Sequence, residues 1–423
     1  MKKSIFALLF FAQLGCGISA LAQGPGSAGV LFLLIQPAPR ANGMANASVA
    51  STESGALGIV FNPAHLGRIA VERYLTFELY PSKTNWLPQL APDLKYDAKT
   101  ILVGYNFKHL NKRIPVSFGV AYSRVFIDLG KQIITGELDP MPLGVFHSTE
   151  RANVWSIGVG VDYLVKASLG LSFKDIESNL APRVAGTQQS DGRASATARD
   201  FGVLAYLPFD EVFSKLAGKP FEVQPGIRPF LGTALGYSKS NIGDKITYVD
   251  AAQADPLPRT ARIGTSLKAG LSLITEKQTW RLVSFENLYE AEQLLVRNSR
   301  GKVSYAGLLG DIDFWDNVIL RKGNSRIVTK KGWELNLFEL LSLRNGRYED
   351  PLGRVSYDTD GIGFSLLGVL KAIRHLNPQL KDNAVLTFLT SHVDVQYNRS
   401  DLSTTEGHPL NGTKFKGISI SVF

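Results

Sequence analysis

Arg151-Ala152-Asn153-Val154-Trp155-Ser156-Ile157-Gly158-Val159-Gly160-Val161-Asp162-Tyr163-Leu164-Val165 alternates between two kinds of side chain. From Trp155 onward the odd positions are Trp, Ile, Val, Val, Tyr and Val, whereas Ser156, Gly158, Gly160 and Asp162 are small or polar. A period of two is the period of a strand. One face is apolar with an aromatic near each end. Eight steps of ~3.3 Å from Trp155 to Tyr163, shortened by a tilt of ~40°, cover roughly 20 Å, close to the hydrocarbon band of an outer membrane.

The same alternation recurs at 75–80, 101–107, 114–123, 166–173, 201–207, 227–237, 262–273, 280–289, 333–343, 362–366, 385–397 and 415–423, thirteen candidate strands with the first. A soluble β-sandwich also alternates. Here the polar face is rich in Gly, Ser and Ala, which suits a crowded barrel interior, and apolar faces of six positions exceed an ordinary strand of ~5 to 6 residues. The expected fold is all-β: a transmembrane antiparallel β-barrel of about 14 strands with an N-terminal hatch. Links alternate in length, as in outer-membrane barrels. Short ones are expected at 109–112, 166–167 and 276–278, and long ones at 81–98, 127–150, 177–193, 238–258 and 291–329. The link over 210–224 is long where a turn belongs and is expected to hold a small helix at 211–216. An even strand count requires a fourteenth strand, for which 291–329 is the expected place. That parity puts Phe423 at the periplasmic rim.

The chain has 423 residues, 44% hydrophobic, with 46 Lys and Arg against 37 Asp and Glu, a net charge of +9 and 40 Gly. This content excludes intrinsic disorder. No block of five basic residues occurs, so no nucleic-acid partner is expected. Lys2 and Lys3, the apolar run 5–14 and Ala20-Leu21-Ala22 read as a signal peptide over 1–22. Cys16, the one cysteine, lies within it. Leu14-Gly15-Cys16 partly resembles a lipid-attachment site, but Gln13 stands where that signal wants Leu. The cleaved chain has no thiol for disulfides, zinc or nucleophilic catalysis. No apolar run is long enough for a spanning helix. Residues 23–70 form the expected hatch and 71–423 the barrel, in the outer membrane of a Gram-negative cell, with outer-membrane lipids as neighbours.

Residues 32–50 and 61–67 do not alternate. They hold Phe32-Leu33-Leu34-Ile35, then Pro37-Ala38-Pro39-Arg40-Ala41-Asn42-Gly43-Met44, Ala47-Ser48-Val49-Ala50 and Asn62-Pro63-Ala64. Asn62 and Pro63 suit the start of a short helix. The small residues supply too little bulk for a core of their own, so the segment is expected inside the barrel. On these motifs, and on the later stretch 341–350, the chain resembles the PorV/PorQ family of outer-membrane proteins, itself similar to FadL-type fatty-acid channels. Pro39 stands where the family usually has Asp, and Asn42 where it has a second Gly. The resemblance implies a 14-stranded barrel and a role in the type IX secretion system, binding C-terminal signal domains of exported cargo and the secretion translocon. The hatch residues it marks are Gly43, Met44, Asn62, Pro63 and Ala64.

No enzyme chemistry, cofactor or metal site is expected. The six His residues form no H-x-x-x-H or H-E-x-x-H spacing, and no G-x-S-x-G exists. His392 is expected on one strand face with Asp394 and Gln396, without a nucleophile. Gly158-Val159-Gly160 lacks the helix a phosphate loop needs. Arg262 and Lys268 are candidate lumen charges, with Asp162 and Glu334 as candidate neutralising carboxylates. Trp86, Phe126, Phe314 and Trp315 are candidate loop anchors for a partner, or girdle aromatics. Two functions follow: a protein-transport factor gripping cargo with its loops, and a FadL-like channel for hydrophobic small molecules whose hatch moves aside.

Overall fold

The computed structural model describes residues 28–135, 142–180, 192–248, 254–275, 279–299, 302–380 and 383–423. Fourteen strands form one closed antiparallel ring: β1 Leu75–Leu79, β2 Lys95–Asn106, β3 Val116–Thr135, β4 Pro142–Asp162, β5 Lys166–Asn179, β6 Arg193–Pro208, β7 Ile227–Gly243, β8 Thr260–Ile274, β9 Thr279–Leu294, β10 Val328–Leu337, β11 Leu341–Asp350, β12 Val355–Ser365, β13 Val393–Ser403 and β14 Lys414–Val422. Each pairs with its neighbour in sequence, and β1 closes on β14 from Leu75↔Val422 to Leu79↔Ile418. A two-residue piece, Thr84–Asn85, pairs only with Tyr96 and Lys95. Closure matters physically, because an open edge would leave unpaired backbone groups in hydrocarbon.

The alternation sorts side chains as expected. Along β5, Ser168, Gly170 and Ser172 point inward, and Leu169, Leu171 and Phe173 point outward with about half their surface uncovered. Along β4 the outward set is Trp155, Ile157, Val159 and Val161. An apolar belt this continuous is stable only against lipid. The protein is therefore a multi-pass β-barrel of the outer-membrane type.

The two ends of the barrel differ. On the turn side, links include 163–165 and 338–340; on the loop side lie 80–94, 244–259 and 295–327. The turn expected at 166–167 sits three residues earlier, since Lys166 and Ala167 already pair with Tyr206 and Ala205. The turn at 276–278 lies outside the described residues, as does the leader 1–22. The link after β6 holds helix α1 (Phe209–Ala217), as expected. The link 366–392 holds α2 (Leu366–Leu376) and α3 (Ala384–His392).

Three expectations are corrected. The fourteenth strand is β11, not a part of 291–329; the single stretch read at 333–343 is the end of β10, a turn and the start of β11. The turn carries no Gly or Pro. Phe338 and Glu339 both take positive φ, held by Asn336 Oδ1 accepting from Glu339 N (3.1 Å) and by Phe338 O accepting from Trp280 Nε1 (2.8 Å). Residues 291–329 complete β9, then form a small hairpin outside the barrel, Val296–Ser299 with Lys302–Tyr305, and a helical turn at Phe314–Ile319. Second, 385–392 is helix, capped by Asn383 Oδ1 accepting from Leu386 N (3.0 Å), so His392 is not on a strand face with Asp394. Third, much of the loop expected over 127–150 is strand, because β3 and β4 stay paired well above the membrane band.

Candidate functional site: the plug and the cavities on either side

Residues 28–74 fill the lumen. At one end Gly29 N donates to Pro256 O in the loop-side link 244–259; at the other Tyr74 N donates to Val422 O at the turn-side end of β14. The segment crosses the barrel from one mouth to the other.

Main chain packs on main chain along this path. Inward glycines on neighbouring strands meet the plug: a Cβ on Gly170 or Gly202 would overlap Pro63 and Ala64, one on Gly158 would meet Gly67, and one on Gly332 or Gly346 would meet Met44. Gly104, Gly119, Gly158, Gly170 and Gly202 are direct cross-strand partners in succession. Only a glycine-lined wall lets a second backbone approach this closely. β1 and β9 place carboxylates there instead. Glu78 accepts from Leu57 N (2.9 Å), Glu290 from Ser48 N (2.9 Å) and Val49 N (2.8 Å), and Glu286 from Thr52 N (3.0 Å). These bonds satisfy plug amides that water cannot reach.

The residues Gly43, Met44, Asn62, Pro63 and Ala64 lie inside the barrel. Asn62 Oδ1 accepts from Ala64 N (3.1 Å) at the start of the helix Ala64–Ile69, and its Nδ2 donates to Val49 O (2.8 Å). Pro63 and Ala64 abut β5 and β6, Gly43 abuts Gly361, and Met44 is fully buried. His65 on that helix is buried with Nε2 3.0 Å from Ser48 O; burial pushes its imidazole down to about 4. The neutral form is thus the packed one. As pH falls below the ordinary value of ~6.5, an unpacked plug takes up a proton that the packed one refuses, so packing weakens progressively toward pH 4. Protection of the amides of residues 45–65, taken relative to their intrinsic exchange rate at each pH, is expected to fall between pH 7 and pH 5, and His65→Gln to flatten that dependence.

Arg262 and Lys268 point into the lumen and pair with carboxylates other than Asp162 and Glu334. Arg262 pairs with Glu292 (2.6 Å) and lies over the Phe61 ring (4.1 Å). Lys268 pairs with Glu53 of the plug, which also binds Arg281 and lies 3.4 Å from Arg40. Glu334 binds Arg40 (2.6 Å) and Arg344. Asp162 stands at the turn-side rim, paired with Lys108 (2.5 Å) and Lys166 (3.4 Å). Arg40 and Glu53 of the plug thus hold Glu334, Lys268 and Arg281, while Arg262, Lys330 and Lys174 pair with carboxylates of the wall itself. Glu53, Arg281, Arg344, Glu286 and Glu290 were not singled out from sequence; strand parity places Arg344, Glu286 and Glu290 inward, whereas Arg281 is brought to that side by the register shift between Arg281 and Val283.

The plug divides the lumen. Toward the loop side lies a cavity of about 460 Å³, lined mainly by apolar side chains including Leu31, Phe32, Leu34, Trp86, Leu410 and Phe415. Tyr348 and Tyr357 stack on its wall, ring centres 4.5 Å apart. Toward the turn side a smaller polar cavity of about 230 Å³ is lined by Arg40, Glu53, Arg281, Glu334 and Arg344 among others. The two share no lining residue.

The four aromatic candidates separate. Trp86 lines the loop-side cavity and rests on Phe415 (6.1 Å). Phe126 is on β3, not in a loop, facing outward between Lys83 and Arg124, each 5.5 Å from its ring centre. Phe314 packs on Ile312, Val318, Ile263 and Ala291, which pins link 295–327 to the barrel's outer face, and Trp315 beside it stays exposed. Among the described residues, no group of three or more His, Cys, Asp or Glu could hold a metal ion.

No family model matches the sequence, and no curated protein does. Among solved structures the chain is similar to the toluene transporter TodX of Pseudomonas putida, with a TM-score of 0.35 and 10% identity over 89% of this chain and 94% of that one. It is similar to a FadL homologue of Pseudomonas aeruginosa, with a TM-score of 0.33 and 11% identity over 91% and 97%. It also matches CdiB of Acinetobacter baumannii, at a TM-score of 0.33 and 7% identity over 83% of this chain and 60% of that one. Likenesses of this strength carry no argument about function.

Proposed function

We propose that this outer-membrane barrel serves protein secretion in the manner of PorV/PorQ-type barrels. The plug stays in place, and the loop-side cavity receives an apolar element of an exported protein's C-terminal signal domain as it passes from the type IX translocon. One observation carries the reading: an apolar cavity of about 460 Å³ faces the loop side and ends on the plug. Its size lies within the range of ligand pockets, ~300 to 1,000 Å³. A floor made of main chain and ion pairs favours a receptor over a pore.

The tagged barrel, purified from its native outer membrane in mild detergent, is expected to bring along secreted proteins that share a C-terminal domain. Trp86→Ala, which truncates an aromatic on the cavity wall, is expected to lower that recovery roughly tenfold, the usual effect of removing a buried anchor. The apolar lining also favours a second reading, a FadL-like channel for hydrophobic small molecules. Recovery of stoichiometric fatty acid or another apolar compound, with no secreted protein, would decide for that reading.

A further inference from the structure

The turn-side helices α2 and α3 carry their polarity the wrong way round for a water-exposed surface. On α2, the face turned to the barrel holds Leu367, Gly368, Lys371 and Arg374, all buried. Lys371 Nζ donates to Glu339 (2.5 Å) and to Thr279 O (3.1 Å), and Gly368 abuts the backbone of Glu339 and Leu340. The outer face shows Leu366, Ile373 and Leu376, the last 78% exposed. On α3 the exposed side chains include Val385 and Phe388, at 67% and 57%, while Thr390 is buried. A surface helix in water places its charges outward and its apolar stripe on the core. Here α2 does the reverse, and α3, which carries no Lys, Arg, Asp or Glu, turns Val385 and Phe388 outward.

The barrel wall above them explains the inversion. On β4 the outward apolar run extends from Val161 to Trp155, and on β8 from Leu273 to Leu267, beyond which link 295–327 covers Ile263. On β11 it stops after Leu341 and Leu343, because Asn345 and Arg347 come next; on β12 it stops after Phe364 and Ile362, because Asp360 and Asp358 follow. These polar outward groups bond one another: Asn345 Nδ2 to Asp360 Oδ1 (3.0 Å) and Arg347 Nη1 to Asp358 Oδ2 (2.9 Å). One bilayer has one thickness, yet two residues per strand give only about half of the height supplied elsewhere. The missing height continues downward. Exposed Phe338 sits in the turn below β10 and β11, and Leu366 follows Phe364 by two residues into α2.

We propose that α2 and α3 form an interfacial hairpin embedded among the acyl chains of the turn-side leaflet, completing the lipid-facing belt where β11 and β12 are too short. The occupant of the apolar face is phospholipid, continuous with the belt of the wall. An amphipathic helix binds an interface with its apolar face buried in this way.

The test uses the full chain reconstituted in phosphatidylethanolamine/phosphatidylglycerol bilayers. Single cysteines at Leu376→Cys, Val385→Cys and Phe388→Cys carry an environment-sensitive fluorophore, with Leu171→Cys as the belt reference and Gly407→Cys as the loop reference. Heat-modifiable migration confirms that each variant is folded, and three positions guard against the loss of one. Brominated acyl chains are expected to quench the three hairpin probes at least half as strongly as the belt reference, with little quenching by iodide. Strong iodide quenching like that at 407, with no bromine effect, overturns the proposal. So does protection from both quenchers in native membranes combined with iodide access in pure lipid, which would assign the face to a protein partner.

Discussion

Gly170→Leu is expected to drive the plug out of the barrel. The Cβ it adds would lie 2.1 Å from Pro63 O and 2.6 Å from Ala64 N. Both are main-chain atoms, so no rotamer change relieves the overlap. The flanking strands give no room either, because Gly158 and Gly202, the cross-strand partners of Gly170, also meet the plug, a Cβ on them lying 2.7 Å from Gly67 N and 2.0 Å from Asn62 Oδ1. Overpacking a flexible core costs ~1 to 3 kcal/mol, and a clash between two backbones falls at or above the upper end. Each ~1.4 kcal/mol shifts the packed-to-released ratio about tenfold, so a release of roughly a hundredfold is expected. The ring of strands does not contact the new side chain from outside and is expected to close normally. In planar bilayers the parent barrel should be silent and the variant should pass steady current. Trypsin should cut the variant at Arg40, Arg68 or Arg73 while leaving the strands whole. A silent, trypsin-resistant Gly170→Leu barrel would show that the plug contact is not the closure.

Glu53→Ala should loosen the same segment by a different route. Glu53 is the carboxylate that binds both Lys268 and Arg281 and approaches Arg40. Arg40 keeps Glu334 when it is lost, whereas Lys268 keeps no ion-pair partner among the described residues. Removing one member of a buried pair typically costs ~3 to 5 kcal/mol, chiefly because the other charge remains desolvated. Amide exchange over 48–58 is expected to speed by two orders of magnitude or more, with the strand amides unaffected. Pairing Glu53→Ala with Lys268→Met removes the stranded charge and should recover much of the loss. The cycle of the two single and one double variant measures the coupling directly. If the double variant is no tighter than Glu53→Ala, the ion pair is not what fastens the plug.

The barrel wall was legible because its two faces differ in kind. Ile157, Val159 and Val161 against Ser156, Gly158 and Gly160 leave one register possible, since a slip by one residue would put glycine to lipid and valine against the plug. Legibility failed where the chain turns without punctuation. Phe338 and Glu339 occupy left-handed conformations that Gly or Asn would announce, and what holds them there, Trp280 and Asn336, lies partly on another strand. It failed again at 384–389, where an apolar run fits a strand and a helix alike and only the cap from Asn383 decides. The site divides along the same line. Parity placed Arg262 and Lys268 inward, but their partners needed more: Glu292 follows from the register of the β8–β9 hairpin, and Glu53, some two hundred residues away, from the packing of the plug, which no local pattern encodes.

The path of the plug also constrains how the molecule is made. Its start hydrogen-bonds to Pro256 at the loop side, and its end passes through Tyr74 into β1, the strand that seals the ring against β14. A ring sealed while empty would have to be threaded afterwards by a segment already tethered at its lower rim, past glycines that leave no clearance for side chains. The economical order is the reverse: the sheet from β2 to β14 curls around a segment already laid against it, and the seam between β1 and β14 shuts last. The N-terminal segment is then a mandrel on which the barrel is wound: Gly170→Leu spoils one contact and leaves the rest of it to wind upon, whereas a chain lacking the whole segment should stall in assembly.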